Sequence, residues 1–512
     1  MLILWGIVSL VYVFFSFRTM NNQLSGTAAT QGLMVGIMIA AVLLWAGISF
    51  LIHKLAKRGF GIVKMFLVSY FTLGFLFYAA IPLYGTPDEP AHYERIYGIT
   101  EGYIIADVSE NGGGGSLLPV NITEGNYDSD TTLESNRLGF NISASSDKVF
   151  ISYPNTAYYA PVTYLPQIIG AFLARLFTDR LYVIAYTAKL FNFIAVGLLF
   201  AAAIRLIPYG KEIFVIMGLF PITLQESVAL AGDGFTMAIA ALFTAYVVHA
   251  ICDSGGLSTG EIVLGFVLIF ILGFCKFIYA PLAALLIMVP ADRFGGSRKK
   301  TLLGIGAVIM LAVECFGWLA ITNRYLGCEF RAGVDMMAQR DVILSAPISF
   351  LGVFVSTIGE NLSYLATGMV ASHLGIYNIE TPIWISRLGL IMLLLCTCIT
   401  WERTTGKTSK RKRAGKRLLS VGQCLWMLFI VLLIALLIGV SEYLQWTPVG
   451  ASRIEGIQGR YFLPTLPCFM LVLYELIHSL PFSFNADREL LYHTGAFISL
   501  IALVSVFSYY II

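Results

Sequence analysis

The residues best suited to chemistry lie in one short stretch, Gly85 to Arg95, which reads Gly-Thr-Pro-Asp-Glu-Pro-Ala-His-Tyr-Glu-Arg. Two acids, Asp88 and Glu89, stand beside His92 and Arg95, directly after an apolar run that ends near Leu83. Thr86 reads as a helix N-cap, Pro87 as the first helical residue and Glu89 as the capping-box partner of Thr86. On such a helix Asp88, His92 and Arg95 are spaced i, i+4, i+7 and share one face. The positive end of the helix dipole favours an ionised Asp88, which suits a base or cation ligand better than a proton donor. Acids in a first turn also serve as plain caps, and Glu89 can be read that way alone. Asp88 and His92, at the edge of an apolar run, read as functional.

Three other positions are out of place in the same way. Asp233 stands in an Ala-Gly-Asp-Gly turn between apolar runs, Lys276 between Phe274-Cys275 and Phe277, and Arg460 in Gln458-Gly459-Arg460-Tyr461. A lysine among aromatics is costly unless it meets an anion, although a snorkelling side chain is the ordinary alternative. Arg460, taken as opening a helix, would present a guanidinium beside a helix N-terminus, a good place for a phosphate. Gln458 lies two residues before it.

The elements that must position these residues are membrane helices. The chain has 512 residues, 58% hydrophobic and only 12% charged, against about 25% charged in soluble domains. The fold class expected is all-α, a polytopic bundle of about 13 spans. Apolar runs fall at 1–17, 31–53, 63–84, 181–206, 211–228, 234–251, 261–274, 277–291, 301–321, 383–401, 420–440, 461–480 and 493–512. The first has no basic leader and no small-residue cleavage site, so it reads as a retained helix. Eight cysteines are scattered, mostly in apolar runs, without zinc spacing and without a disulfide framework.

Charge sets the orientation. Basic residues crowd 53–64, 293–300 and 402–418, the last with eight Lys/Arg and one Glu, so these connections are expected inside. That puts the N-terminus inside and Asp88, Asp233, Lys276 and Arg460 outside. Segments 161–177 and 348–370 then cannot cross, and read as surface or re-entrant helices. The polar segment 85–160, with eleven Asp/Glu and three Lys/Arg, is a long outer loop whose glycine run at 112–115 and stretch 128–146 look mobile. Tyr153 to Gln167 holds four tyrosines, Tyr158 among them, and three prolines, which suits headgroup depth. Asn121 and Asn141 sit in sequons of no assigned meaning. By domain, 1–60 reads as two extra helices, 61–480 as the core with outer loop 85–180, and 481–512 as a closing helix. No internal repeat or pair of inverted halves is evident.

An outer cavity that combines carboxylates with phosphate-seeking cations fits transfer of a group from a lipid phosphate. Pro-Asp-Glu-Pro-Ala-His at 87–92, Asp233 in its turn, Lys276, and Gln-Gly-Arg-Tyr-Phe-Leu-Pro at 458–464 resemble the bacterial membrane family DUF2142, from about residue 60 to 480. More distantly they resemble the GT-C membrane glycosyltransferases, which place an acid at the start of a long first outer loop and use polyprenyl-phosphate sugars. The chain departs from that pattern by its two preceding helices. The resemblance implies an enzyme of the cell membrane, acting on its outer face, with a polyprenyl-phosphate-linked sugar and an envelope glycan or lipid as partners. It implies no nucleic acid. Asp88, Glu89 and His92 would be catalytic. Lys276, Arg460, Gln458, Asp233 and Tyr158 would bind substrate, and Asp88 with Asp233 could hold a divalent cation, Mg or Mn. The alternatives are a transporter or flippase, or a polymerase or ligase of lipid-linked glycans.

Overall fold

The computed structural model describes residues 28–110, 112–125, 131–252, 255–325, 331, 333–402, 418–478 and 484–511. The expected first helix, 1–17, and nearly all of the basic stretch 402–418 lie outside the described residues. The chain is mostly helical, as its long apolar runs require: in a membrane only a helix bonds all its own backbone groups. Among the described residues seven helices are long and apolar enough to cross, or eight if one bent pair counts as a single span. Four shorter apolar helices accompany them.

The first two described helices, α1 (Ala28–Lys57) and α2 (Ile62–Ala80), are joined at the basic turn. A folded connection follows: α3 (Glu89–Thr100), β1 (Asp107–Val108), β2 (Gly114–Pro119), α4 (Leu133–Gly139) and β3 (Lys148–Ser152). It corrects one expectation. The glycine run does not hang loose, because Gly114 and Gly115 begin the central strand of an antiparallel sheet ordered β1-β2-β3, with Gly115 opposite Ser152 and Pro119 opposite Lys148. Two further small pairings, β4 (His373–Leu374) with β5 (Ile379–Glu380) and β6 (Ile399–Glu402) with β7 (Phe484–Asp487), qualify the all-α expectation.

After the sheet, a 3-10 turn at Pro161–Tyr164 leads into α5 (Leu165–Arg175). At 11 residues α5 is about 16 Å long, half of what a bilayer needs. Its buried side holds Gln167, Gly170, Ala171 and Ala174, and Leu165, Ile169, Phe172 and Leu173 are exposed. An apolar outward face on a short helix suits the surface position expected for 161–177.

The core pairs α6 (Leu181–Leu206) with α9 (Asp233–Cys252). Between them the single helix expected over 211–228 is broken into α7 (Lys211–Gly218) and α8 (Pro221–Ser227). Pro221 has no N–H to continue the ladder, so the chain restarts there. The unwound backbone beyond α8 must then find partners. Asn192 of α6 donates to the carbonyls of Glu226, Ser227 and Ala229 at 3.1–3.4 Å, and Gln167 of α5 donates to Ala231 O at 2.7 Å.

Next, α10 (Thr259–Cys275) and a 3-10 stretch, Phe277–Met288, form a hairpin with Lys276 at its apex. Seventeen residues of α-helix and twelve of 3-10 helix are both about 25 Å long, because the 3-10 rise is greater. The arms match although one is five residues shorter. The rest is α11 (Ser297–Thr322), α12 (Met336–Ser345), α13 (Pro347–Glu360), α14 (Leu362–Gly368), α15 (Ile383–Cys398), α16 (Val421–Gln445), α17 (Leu466–His478) and α18 (Glu489–Ile511). The bent pair is α12 with α13, at 106°. In its most apolar window α9 is 89% enclosed by protein and α11 only 11%, so α9 is the central post and α11 a peripheral one. Among the described residues no disulfide is formed.

Candidate functional site

Asp88 is not inside a helix. It precedes α3 as a left-handed residue, φ 57° and ψ 12°, and its side chain makes no cap bond. The expected capping box is therefore shifted: Glu89, not Pro87, opens the helix, and Glu89 Oε2 accepts from Thr86 N–H at 3.3 Å. Asp88 consequently does not share a helical face with His92 and Arg95. It is exposed, and its carboxylate has no hydrogen bond or ion pair among the described residues. A left-handed non-glycine residue costs about 1–2 kcal/mol, least for Asp and Asn. That cost is borne where the carboxylate is turned outward.

The neighbouring acid turns inward. Glu89 is fully buried, accepts from Leu230 N–H at 3.0 Å, and pairs with the equally buried Lys189 of α6 at 3.4 Å. Arg95 is likewise internal and donates to the carbonyls of Tyr103, Ile104 and Tyr159 at 2.8, 2.8 and 3.3 Å, tying the connection down. His92 is half-buried, with Nδ1 2.6 Å from the Tyr164 hydroxyl. Burial pushes its imidazolium down to about 4, against the pull of Asp88 and Asp233. His92 is therefore neutral at neutral pH.

Around this corner four distant parts of the chain converge. Asp233 pairs closely with Lys276 through Oδ1, and its Oδ2 lies 3.4 Å from Arg460 Nε. Arg460 Nη1 donates to Glu226 Oε1 at 2.8 Å. Lys276 stands over the Tyr159 and Tyr461 rings at 5.8 and 5.4 Å, and Arg460 over the Tyr377 and Tyr461 rings at 5.3 and 5.6 Å. Glu442 of α16 lies within electrostatic reach of Asp88, Asp233, Lys276 and Arg460.

Local sequence explains the convergence. Gly234 lets α9 begin hard against α8, where a Cβ would meet Glu226 O at 2.5 Å. Gly459 lets the 3-10 turn Gly459–Phe462 press on α14, where a Cβ would meet Leu365 O at 2.3 Å. Thr163 donates to the carbonyls of Phe274 and Cys275 at 3.0 and 3.2 Å, satisfying the end of α10 and fixing the apex that carries Lys276.

A further expectation is corrected. Arg460 does not open an α-helix, because α17 starts at Leu466. Its anion partners are carboxylates. Asp233 faces two cations, and among the described residues no group of three or more His, Cys, Asp or Glu is placed to hold a metal. Tyr158 lies within electrostatic reach of Lys276 and packs on the Tyr159 ring at 4.8 Å. Its hydroxyl lies 3.4 Å from Gln445 Oε1 and its carbonyl accepts from Trp318 Nε1 at 2.7 Å, while Tyr159 is the ring beneath Lys276. Gln458 accepts from the Tyr377 hydroxyl.

Sequence reasoning missed Glu226, Glu442, Lys189, Tyr159 and Tyr377 as partners. A charge within or at the edge of an apolar run was the available signal for the first three. Tyr377 carried none, although its φ of 70° marks it as strained.

Paired, the cations keep further N–H donors, since Lys has three and Arg five. The arrangement can therefore receive an anionic group next to an open carboxylate. Residues 71–469 match the family whose description is "Predicted membrane protein (DUF2142)". No curated protein and no solved structure matches the chain.

Proposed function

This chain belongs to that DUF2142 family of predicted membrane proteins, and we propose that it is a membrane glycosyltransferase that passes a sugar from a polyprenyl-phosphate donor to an envelope glycan or lipid. The observation that carries the reading is the open Asp88 carboxylate, which shares His92 and Glu442 as electrostatic neighbours with an aromatic-lined pair of cations, Lys276 and Arg460, whose counter-ions Asp233 and Glu226 hold them in place. A carboxylate with no partner of its own is free to take a proton, and cations held by carboxylates are oriented before any phosphate arrives.

In this reaction Asp88 accepts the proton of the acceptor hydroxyl as that oxygen bonds to the anomeric carbon. The bond from that carbon to the lipid phosphate breaks, and its electrons leave with the phosphate. The unused N–H donors of Lys276 and Arg460 receive the developing charge. Asp233 orients both cations, and neutral His92 stands within electrostatic reach of Asp88 without competing for the phosphate. On this reading the fold is GT-C-like with about 13 crossings. The basic runs 53–64 and 293–300, at the other ends of their helices, would face inward and the site outward.

The test compares envelope glycans of cells that have the protein, lack it, or carry Asp88→Asn. A sugar should be missing in both the second and third cases, with the variant still folded and inserted. Unchanged glycans in the variant would end the assignment of Asp88, and unchanged glycans without the protein would end the glycosyltransferase reading.

A further inference from the structure

Beside the charged network lies a cavity of 260 Å³ that has no charged side chain in its wall. Asn361, Tyr364, Tyr377 and Gln458 supply its polar groups, and Leu365 and Ile457 part of its apolar lining. It is continuous with the network through Tyr377, whose ring faces the Arg460 guanidinium at 5.3 Å.

The polar groups of this wall are half-used. Asn361 Nδ2 donates to Thr357 O at 2.8 Å, and its Oδ1 has no partner among the described residues. Gln458 Oε1 accepts from Tyr377, which leaves the Gln458 amide N–H groups to donate. Tyr364 leans on the His373 ring at 5.1 Å, is 39% exposed, and keeps its hydroxyl unengaged among the described residues. A donor, an acceptor and a hydroxyl thus surround aromatic faces in a neutral space.

That chemistry selects its ligand by exclusion. A phosphate would find no cation in the wall. A purely apolar tail would leave the Asn361 and Gln458 groups unsatisfied, at a cost. An uncharged sugar ring fits both demands, since each hydroxyl donates and accepts while the ring's C–H face packs on aromatic faces. The volume lies below the ~300–1,000 Å³ of drug-sized sites, which suits one ring. Tyr377 is held at φ 70° on the shared wall, and such strain marks a residue that the surrounding structure over-determines.

We propose that the cavity bordered by Asn361, Tyr364, Tyr377 and Gln458 binds a single uncharged pyranose ring and presents it to the neighbouring cation site. The inference rests on the glycosyl-transfer reading for its meaning but not for its test. Detergent-purified full chain is examined by saturation-transfer NMR with methyl glycosides of glucose, galactose, mannose and N-acetylglucosamine at millimolar concentration.

At least one glycoside should bind. Asn361→Ala and Tyr364→Ala should each weaken it about five-fold. Because Tyr364 is exposed, its loss leaves the fold intact, which a melting curve checks. Absence of binding by every glycoside, or binding that survives both wall substitutions, overturns the proposal. So does a hexose 1-phosphate that binds where all neutral glycosides fail, because recognition would then belong to Lys276 and Arg460. Glycoside binding by a protein whose absence from cells leaves envelope glycans untouched would sink the transfer reaction and keep the cavity.

Discussion

Asp88 and Glu89 are neighbours in sequence and opposite in circumstance. Glu89 is fully enclosed, with Lys189, Leu230 N–H and Thr86 N–H on its oxygens. Asp88 is exposed, left-handed and without a partner among the described residues. The Glu89–Lys189 junction joins α3 to α6, and the open corner is where the proposed chemistry would take place. The network of Lys276, Asp233, Arg460 and Glu226 lies between these extremes, since it is nearly buried yet bordered by an open carboxylate and a cavity. Burial with full pairing makes an acid structural. Exposure beside oriented cations makes it available for reaction.

Four substitutions would break or sharpen this contrast, and their stability effects should fall in order. Glu89→Gln leaves Lys189 charged in an enclosed site, and breaking such a pair costs about 3–5 kcal/mol. Thermal melting in detergent should show it as the most damaging of the four, with Lys189→Met added to Glu89→Gln recovering most of the loss. A wild-type melting curve for Glu89→Gln alone would remove the structural assignment.

Arg460→Met strands Glu226 but leaves Asp233 with Lys276, so its cost should lie near the low end of that range, about 3 kcal/mol. Adding Glu226→Gln should restore stability without restoring transfer. Restored transfer would mean that the guanidinium is not needed for the leaving phosphate.

The third effect appears only in acid. The unfolded chain protonates His92 below about pH 6.5, whereas the folded chain resists until about 4. The unfolded state therefore binds the extra proton in that window, and stability falls as pH drops through it. His92→Gln should flatten this part of the melting-against-pH curve and leave pH 7 stability little changed. A curve of the same slope would assign the acid loss to other groups.

Asp88→Asn should be the mildest, within about 0.5 kcal/mol of wild type, because Asn tolerates the left-handed conformation. Asp88→Val should instead cost about 1–2 kcal/mol for the same backbone. If Asp88→Asn melted well below wild type, Asp88 would share the structural duty of Glu89 and the contrast would dissolve.

The sequence by itself determined that the chain is a polytopic membrane protein of its family, and it singled out Asp88, Asp233, Lys276 and Arg460. Long uncharged runs admit few structures, and a charge at the edge of such a run needs a reason that local pattern alone reveals. Only tertiary structure decided the partners. Glu226 and Glu442 read as edges of apolar runs until Gly234 and Gly459 let backbones meet closely enough to bring Arg460 among them. The broken helix at Pro221, the strand made from the glycine run and the opposite fates of Asp88 and Glu89 were settled the same way. Each depends on which distant side chain satisfies a stranded backbone group or charge, and separation in sequence carries no record of that distance.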